Sequence, residues 1–535
     1  MKKFLLLLIA LYTITKVCAY DIEINGICYN LNQENKTAEV THKNKITFEH
    51  DCIHPAFIAE FIGKNYTQTK LTIPSIITHN ENQYKVTSIG QFAFFTCNSK
   101  YIIIPNSITT IGAWAFANCT SLTSIVIPNS VKNIDHCAFS NSSITSIALY
   151  SNITSIGWKM FEDCSNLTSI IFPNSIISIQ DEAFSGCSSL KSITIPNSIS
   201  SIGNDAFLRC SNLSYVNISN ITAWCNIDFG NDFSNPLCYA KKLYLNGEEI
   251  TNLIIPENIK SIKNNAFSNF STLTSITIPN SIISIQDEAF SGCSSLKSIT
   301  IPNNITSIGN GAFKNCTSLT SITIPNSINS INNEVFSGCS SLKSITIPNN
   351  ISSIGNEAFK NCTSLTSITI PNNITSIKKS TFTNCHSLSS VIIPNSVTSI
   401  EDNAFSNCKS LTNITMSNNT TSIGEYAFRS CTSLSSIIIS NDISSNHTIS
   451  IENFSFWDCT SLIEITFPNN VIYIGKYALY GCTSLKSITC LATTPPDMQN
   501  LPTNYETCTL YIPKGTKQAY LNHKEWSKFK NIEEK

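Results

Sequence analysis

The apolar positions of this chain recur in one fixed order over most of its length. In Cys293 to Asn315, CSSLKSITIPNNITSIGNGAFKN, they fall at Leu296, Ile299 and Ile301, then Ile305 and Ile308, then Ala312 and Phe313, and Cys316 opens the next copy. A period of about 23 residues is the signature of a solenoid, in which each coil completes its core only against its neighbours. Ile299 and Ile301 alternate with Ser298 and Thr300, which is strand periodicity with the isoleucines inward. Pro302 has no N–H for a ladder and ends the strand, and Asn303 and Asn304 supply turn chemistry. Ile305 and Ile308 return to the core along a second, short extended side, and Gly309 is expected to permit the next bend. The spacing of Ile308, Ala312 and Cys316 predicts a short helical turn that also seats Phe313.

Around this phrase the chain divides by pattern. Residues 20–70 lack the repeat; DIEINGICYNL and TAEVTH flank the polar NQENK and read as two strands around a turn, a β-rich lid on an open end. Regular coils are expected over 71–210. Over 211–270 the words change: Trp224, Cys225, Pro236 and Cys238 intrude, and LYLNGEEITNLIIP carries its own strand alternation and a Gly turn. This stretch reads as irregular coils with an insertion in an array that runs straight through. Regular coils resume over 271–489, one of them lengthened by SNDISSNHTISIENFSFWDC. Residues 490–535 break the period with a Pro-Pro turn, a strand at Leu510 to Ile512 and an amphipathic end holding Tyr520, Trp526 and Phe529, a cap over the last apolar edge. The string IISIQDEAFSGCSSLKSITIPN occurs twice, which points to duplication of a block.

The recurring LxxIxIPxxIxxIGxxAFxxC resembles the BspA-like leucine-rich repeat family of secreted and cell-surface proteins. Its Pro, Gly, Ala-Phe pair and Cys all recur in register, and the LYLNGEEITNLIIP and TLYIPKGT segments are also similar to accessory parts of that family. Ser142 and Phe270 stand where the Cys is expected, and Ser417 replaces the Pro. The fold expected is an α/β repeat solenoid, a leucine-rich repeat superhelix of roughly seventeen coils, with one parallel β-sheet face, short helical turns and extended segments elsewhere, and a cap at each end. The resemblance implies attachment to matrix or plasma proteins and to other cells. It carries over no catalytic residues.

Composition narrows the partners. Charged residues are 13% of the chain and the formal net charge is −1, so the polar surface is built from Ser, Thr and Asn and offers little steering toward nucleic acid or anionic lipid. Residues 1–19 have the form of a secretory signal: Lys2 and Lys3, an apolar run from Phe4 to Tyr12, and small residues at Val17 and Ala19. That run is too short to span a bilayer, and no later stretch reaches about 20 apolar residues. The expected location is therefore secreted or cell-surface, with no integral membrane span.

Among candidate chemistry, cysteines come first. Those of the repeat, such as Cys293, Cys316, Cys339 and Cys362, lie one coil apart and read as buried thiols, because side chains projecting in parallel rarely reach disulfide geometry. Off that file, Cys28 with Cys52, Cys225 with Cys238 and Cys490 with Cys508 are candidate bridges in an exported protein. His50, Cys52 and His54, with His42 nearby, lack paired CxxC spacing and read as cap rather than metal site. Sequons at Asn35, Asn65, Asn152, Asn304, Asn373 and Asn446 follow from composition. Files of Thr277, Thr300, Thr323, Thr346 and Thr369 suit an exposed sheet.

No Ser/His/Asp pattern, phosphate loop or paired carboxylates point to an enzyme, and no cofactor is implied. The reading is a protein-binding or adhesive surface protein whose partners are extracellular or host-surface proteins. A self-associating coat component is the alternative, and a carbohydrate-binding protein a weaker one. Uniform coils offer little specificity, so partner contacts are expected where the phrase is broken, at Trp224, Phe229, Phe233, Tyr244, His447 and Trp457.

Overall fold

The computed structural model describes residues 20–43, 66–150, 152–416, 419–439, 447–500 and 505–535. The candidate signal, Cys52, His50, His54, Ser417, Asn65, Asn446 and part of the long coil's insertion lie outside them. The chain is a parallel β-solenoid of about 19 turns, two more than the repeat count predicts. The caps join the ladder instead of only covering it. Thr37–Thr41 of the N-terminal hairpin pairs in parallel with Asn82–Ile89, and at the other end Thr509–Ile512 and Asn531–Glu534 extend the parallel ladder.

Each coil has three sides. The first is a three-residue strand such as Ser298–Thr300, paired in parallel with Ser321–Thr323 so that Ile299 faces Ile322. Its middle isoleucine is buried and its flanks are exposed, as alternation requires. Pro302 then turns the chain, its carbonyl accepting from the Ile305 amide at 3.2 Å. The second side is a second parallel ladder of two-residue strands such as Ser284–Ile285 against Ser307–Ile308, narrower than the first and additional to the single sheet face expected.

The third side is not the helical turn the four-residue spacing predicts. Amides alternate there between two kinds of partner. Those of Glu288, Phe290 and Gly292 donate to carbonyls of the next coil, Asn310, Ala312 and Lys314, at 2.9, 2.9 and 2.7 Å. The intervening amides of Ala289, Ser291 and Cys293 close turns on Gln286, Glu288 and Phe290 of their own coil. A segment this short is a poor helix nucleus, whereas this alternation satisfies every amide and adds a third inter-coil ladder. It requires left-handed residues, and Glu288 at φ 55° and Gly292 at φ 71° supply them. Gly309, expected to make a bend, serves close approach instead: a Cβ there would lie 2.4 Å from Asp287 N and from Gln286 C of the preceding coil.

Between the sides runs a spine of buried phenylalanines. Phe290, Phe313 and Phe336 are fully buried and stack at 5.7 and 5.9 Å with interplanar angles of 7° and 4°. Beside them the repeat thiols after Cys97 donate to the phenylalanine carbonyl of the coil before, as Cys316 Sγ does to Phe290 at 3.2 Å and Cys339 Sγ to Phe313 at 3.2 Å. Phe270, in the same slot, is also fully buried, so packing alone suffices there.

The structure falls into two compact units, Met1–Ile250 and Thr251–Lys535. In the first, the strand ladder ends on an antiparallel hairpin, Leu243–Leu245 against Glu248–Glu249, where the sequence reads as a continuous array. Asn246 and Gly247, at φ 52° and 87°, make the tight turn that reverses the chain. In the second, the ladder opens with Asn252–Ile254 against Ser275–Thr277. Its C-terminal cap buries Tyr520, Trp526 and Phe529, with the Tyr520 hydroxyl donating to Ala492 O at 2.7 Å and Trp526 Nε1 to Pro496 O at 3.0 Å.

Candidate binding surface

The left-handed position on the third side is held in most coils of the second unit by small or polar residues: Glu288, Gly311, Glu334, Glu357, Ser380 and Asn403. In the last three coils it passes to Tyr426, Phe454 and Tyr477, each at φ 57°. A bulky side chain in that conformation costs about 1–2 kcal/mol relative to right-handed backbone, so three in succession are not there for backbone reasons. Their rings meet along the ladder, Tyr426 stacked on Phe454 at 4.9 Å and Phe454 tilted by 31° against Tyr477 at 5.6 Å.

Three residues further along the same turns, Arg429, Trp457 and Tyr480 widen the file into a patch. Trp457 lies 5.3 Å from Phe454 and 6.1 Å from Tyr426, and Tyr480 meets Tyr477 edge-on at 5.7 Å. The Arg429 guanidinium sits 4.9 Å over Trp457 and 5.5 Å over Tyr426, and Lys476 Nζ lies 4.9 Å over Tyr477. Each such contact at an exposed site is worth about 0.5–1 kcal/mol and orders a long side chain at the rim. Tyr480 is 45% exposed, Arg429 and Lys476 are exposed, and Tyr426, Phe454, Trp457 and Tyr477 are half-buried. In the first unit the equivalent aromatics, Phe92 and Trp114, are instead buried together with Phe95 and Cys137.

A second apolar surface lies on the three-residue strands of the first unit, where Ile103 and Val126 stand in register and Ala148 pairs with Ile171. Val126 and Ile171 are about two-thirds exposed, at 68% and 66%, where the second unit mostly presents threonine.

The residues expected to meet partners are placed unevenly. Trp457 belongs to the aromatic patch, and His447 is exposed. Phe233 is exposed at 41%, and Tyr244 is half-buried, its hydroxyl donating to Glu249 Oε2 at 3.1 Å and its ring 5.2 Å from Tyr215. Trp224 and Phe229 are corrections: they are 1% and 6% exposed and lie 5.4 Å apart, filling the core where regular isoleucines are missing. Phe454 lies in the lengthened coil but was not singled out, and Tyr426, Tyr477, Tyr480 and Arg429 stand in coils of ordinary length, although aromatics at a slot that neighbouring coils give to Glu, Ser and Asn are a readable signal.

Two of the three expected bridges are not formed. Cys225 and Cys238 are unbridged thiols. Cys225 is the buried last residue of the helix Ile221–Cys225, whereas Cys238 lies near Cys210, whose thiol is pushed up by burial first and by Cys238 second. Cys490 accepts from the Tyr520 hydroxyl at 3.1 Å and Cys508 is unbridged. Burial pushes the thiols of Cys225 and Cys238 up to about 12 and that of Cys508 up to about 11. Cys28 is buried, and its expected partner Cys52 is outside the described residues. The sequons serve the coils: the side-chain amides of Asn152, Asn304 and Asn373 donate to the carbonyls of Asn129, Asn280 and Asn349 one coil back, and the backbone amide of Asn35 donates to Asn32 in the hairpin. Among the described residues no group of three His, Cys, Asp or Glu is placed to hold a metal ion, and no helix is long and apolar enough to cross a membrane.

A parallel solenoid whose coils carry leucine and isoleucine at fixed inward positions is a leucine-rich repeat protein. The chain belongs to the family of BspA type leucine-rich repeat regions, whose model matches residues 87–214, 240–366, 352–448 and 442–504 in six copies. Among solved structures it is similar to a leucine-rich repeat protein from Bacteroides ovatus ATCC 8483, at 28% identity over 88% of this chain and 94% of that one, with a TM-score of 0.45. It is also similar to a leucine-rich cell surface protein from Faecalibacterium prausnitzii A2-165, at 26% identity over 79% and 95% of the two chains, with a TM-score of 0.38. The pneumococcal vaccine antigen PcpA matches at 16% identity over 97% and 100%, with a TM-score of 0.34. No curated protein matches the chain.

Proposed function

We propose that the protein is a non-catalytic secreted or cell-surface protein that binds other proteins, attaching to extracellular or host-surface proteins or to other cells. The observation that carries this reading is the half-exposed patch of Tyr426, Phe454, Trp457, Tyr477, Tyr480 and Arg429. Trp, Tyr and Arg are the residues that dominate the binding energy of protein interfaces; the rings bury large area for few lost rotamers, and the Arg429 side chain is already ordered over Trp457 and Tyr426. The family and an N-terminal segment of secretory form support export.

Purified protein titrated against matrix proteins, plasma proteins and intact cells tests the reading. Saturable binding is expected, and Trp457→Ala is expected to weaken it by at least about 30-fold, the equivalent of a 2 kcal/mol hot spot. Binding unchanged in Trp457→Ala and Tyr480→Ala would remove the patch from the interface. No saturable binding, with concentration-dependent assembly instead, would favour the self-associating coat, a reading that draws on the exposed Ile103, Val126 and Ile171.

A further inference from the structure

The strand face of the first unit is more than a scatter of apolar side chains. Thr72, Ile103 and Val126 stand in register, Ser124 pairs with Ser146, and Ala148 pairs with Ile171. The third strand positions of adjacent coils, from Ile103 to Ile171, therefore form one apolar file about 14 Å long. Tyr101, 49% exposed, widens it at one end. The fold does not require this, because Thr277, Thr300, Thr323, Thr346 and Thr369 hold the same position in successive coils of the second unit. Lysines bracket the file. Along its margin the amides of Thr123, Thr145, Thr168 and Lys191 donate in turn to the carbonyls of Lys100, Thr123, Thr145 and Thr168, which sets Lys100 and Lys191 about 19 Å apart. Lys70 lies on the strand paired with that of Tyr101. All three lysines are exposed, and among the described residues none joins an ion pair, whereas elsewhere Lys159, Lys314 and Lys378 meet Glu162, Glu334 and Glu401 at 2.7, 2.6 and 2.9 Å.

From this arrangement we infer that the face docks an amphipathic helix of a partner protein, apolar on the side it presents and acidic along its margins. A helix laid along the file repeats every turn of about 5.4 Å against a coil step of about 4.8 Å, so leucines one turn apart settle between Ile103, Val126, Ala148 and Ile171. Glutamates toward its two ends then reach Lys100 and Lys191. The chain supplies no carboxylate of its own there: every acidic residue between Lys70 and Lys191, from Glu81 to Glu182, lies in a hairpin turn or on the other two sides of the coils. A second copy of this chain pairing through the same face would add three lysines and no carboxylate. A lipid surface takes apolar groups that sink about 5–10 Å into it, whereas these stand in a sheet row beside Ser124, Ser146 and Ser169 of the same strands. The face is separate from the aromatic patch, which belongs to the second unit.

A fluorescein-labelled peptide helix of about five turns, with leucines on one face and glutamates along both margins, titrated with the full chain and read by anisotropy, tests the inference. Its controls are the same helix with lysine in place of every glutamate, the same helix with glutamine in place of every leucine, and phosphatidylserine vesicles. The glutamate-margined helix is expected to bind saturably and to weaken as salt rises, and the three controls are expected not to bind. Val126→Thr with Ile171→Thr should weaken it at least about tenfold, and Lys100→Gln with Lys191→Gln should weaken it severalfold and remove most of the salt dependence, while Trp457→Ala leaves it unchanged. Threonine already holds this strand position in the second unit, so the Thr pair keeps the fold, which circular dichroism reads. No saturable binding of the glutamate-margined helix, equal binding of the lysine one, or binding insensitive to the Thr pair would overturn the inference. So would vesicle binding, or dimerisation of the wild-type chain, that the Thr pair abolishes.

Discussion

Phe313→Ala is the substitution that most directly probes how the coils hold one another. Phe313 is fully buried and lies between Phe290 at 5.7 Å and Phe336 at 5.9 Å, so truncation removes two stacked contacts and leaves a cavity flanked by rings. Phe→Ala in a packed core costs about 3–5 kcal/mol. In an array coupled only through neighbours that loss falls on the coil concerned and the coil to each side. Hydrogen exchange read by mass spectrometry should therefore show amides of residues 286–340 exchanging roughly a hundredfold to a few-thousandfold faster, up to the unprotected rate, with coils near residue 460 unaffected. Phe313→Leu should cost under about 1.5 kcal/mol, since Leu479 already fills this slot in the last coil. A loss below about 1 kcal/mol for the alanine variant, or an effect spread evenly along the second unit, would refute a spine built from pairwise ring contacts.

Three further outcomes are expected. Burial pushes the thiols of Cys164, Cys339 and Cys431 up to about 12, so the unfolded chain loses these protons first as pH rises. Stability should be full below about pH 8.5 and fall toward pH 12, by about 1.4 kcal/mol per pH unit per thiol, and replacing all three by Ala should flatten the slope of urea stability against pH. Asn350 donates to the carbonyls of Asn326 and Ile328 at 3.0 and 2.7 Å, and Asn350→Ala should lose about 1–2 kcal/mol, read by urea unfolding. Tyr520→Phe removes the donor to Ala492 and Cys490 in the C-terminal cap and should cost about 1–3 kcal/mol, with faster exchange confined to residues 488–535.

The core was legible because its signal is periodic. Ile299, Ile301, Ile305, Ile308 and Phe313 are all buried, and strand alternation and the Pro302 corner follow from local chemistry. The third side was not, because its conformation is chosen by amides pairing with the next coil: nothing local to Glu288 favours left-handed backbone. Gly309 was placed correctly but for the wrong reason, since the crowding it relieves comes from Gln286 and Asp287, a coil away. Of the binding candidates, Trp457 reaches a surface patch while Trp224 fills the core, and the sequence alone does not separate these cases: an irregular coil needs a large side chain in either place. Tyr426, Phe454 and Tyr477 form a file only once the ladder brings their coils together across the lengthened one.

The three inter-coil ladders have a consequence for how a gene of this kind changes length. The backbone bonds that tie one coil to the next recur at the same relative positions, as Ser298 beside Ser321 or the Phe290 amide on the Ala312 carbonyl, whatever the side chains. Unequal crossing-over that adds or drops one whole coil in frame therefore leaves no mismatched seam. Extra residues inside a coil must loop out, and the ladder survives that as well: Ser422 pairs with Ser450 across the long coil as Ser399 pairs with Ser422 across an ordinary one. Copy number can thus drift while the fold persists, and the aromatic patch, confined to a few adjacent coils, can be carried, moved or lost as a cassette.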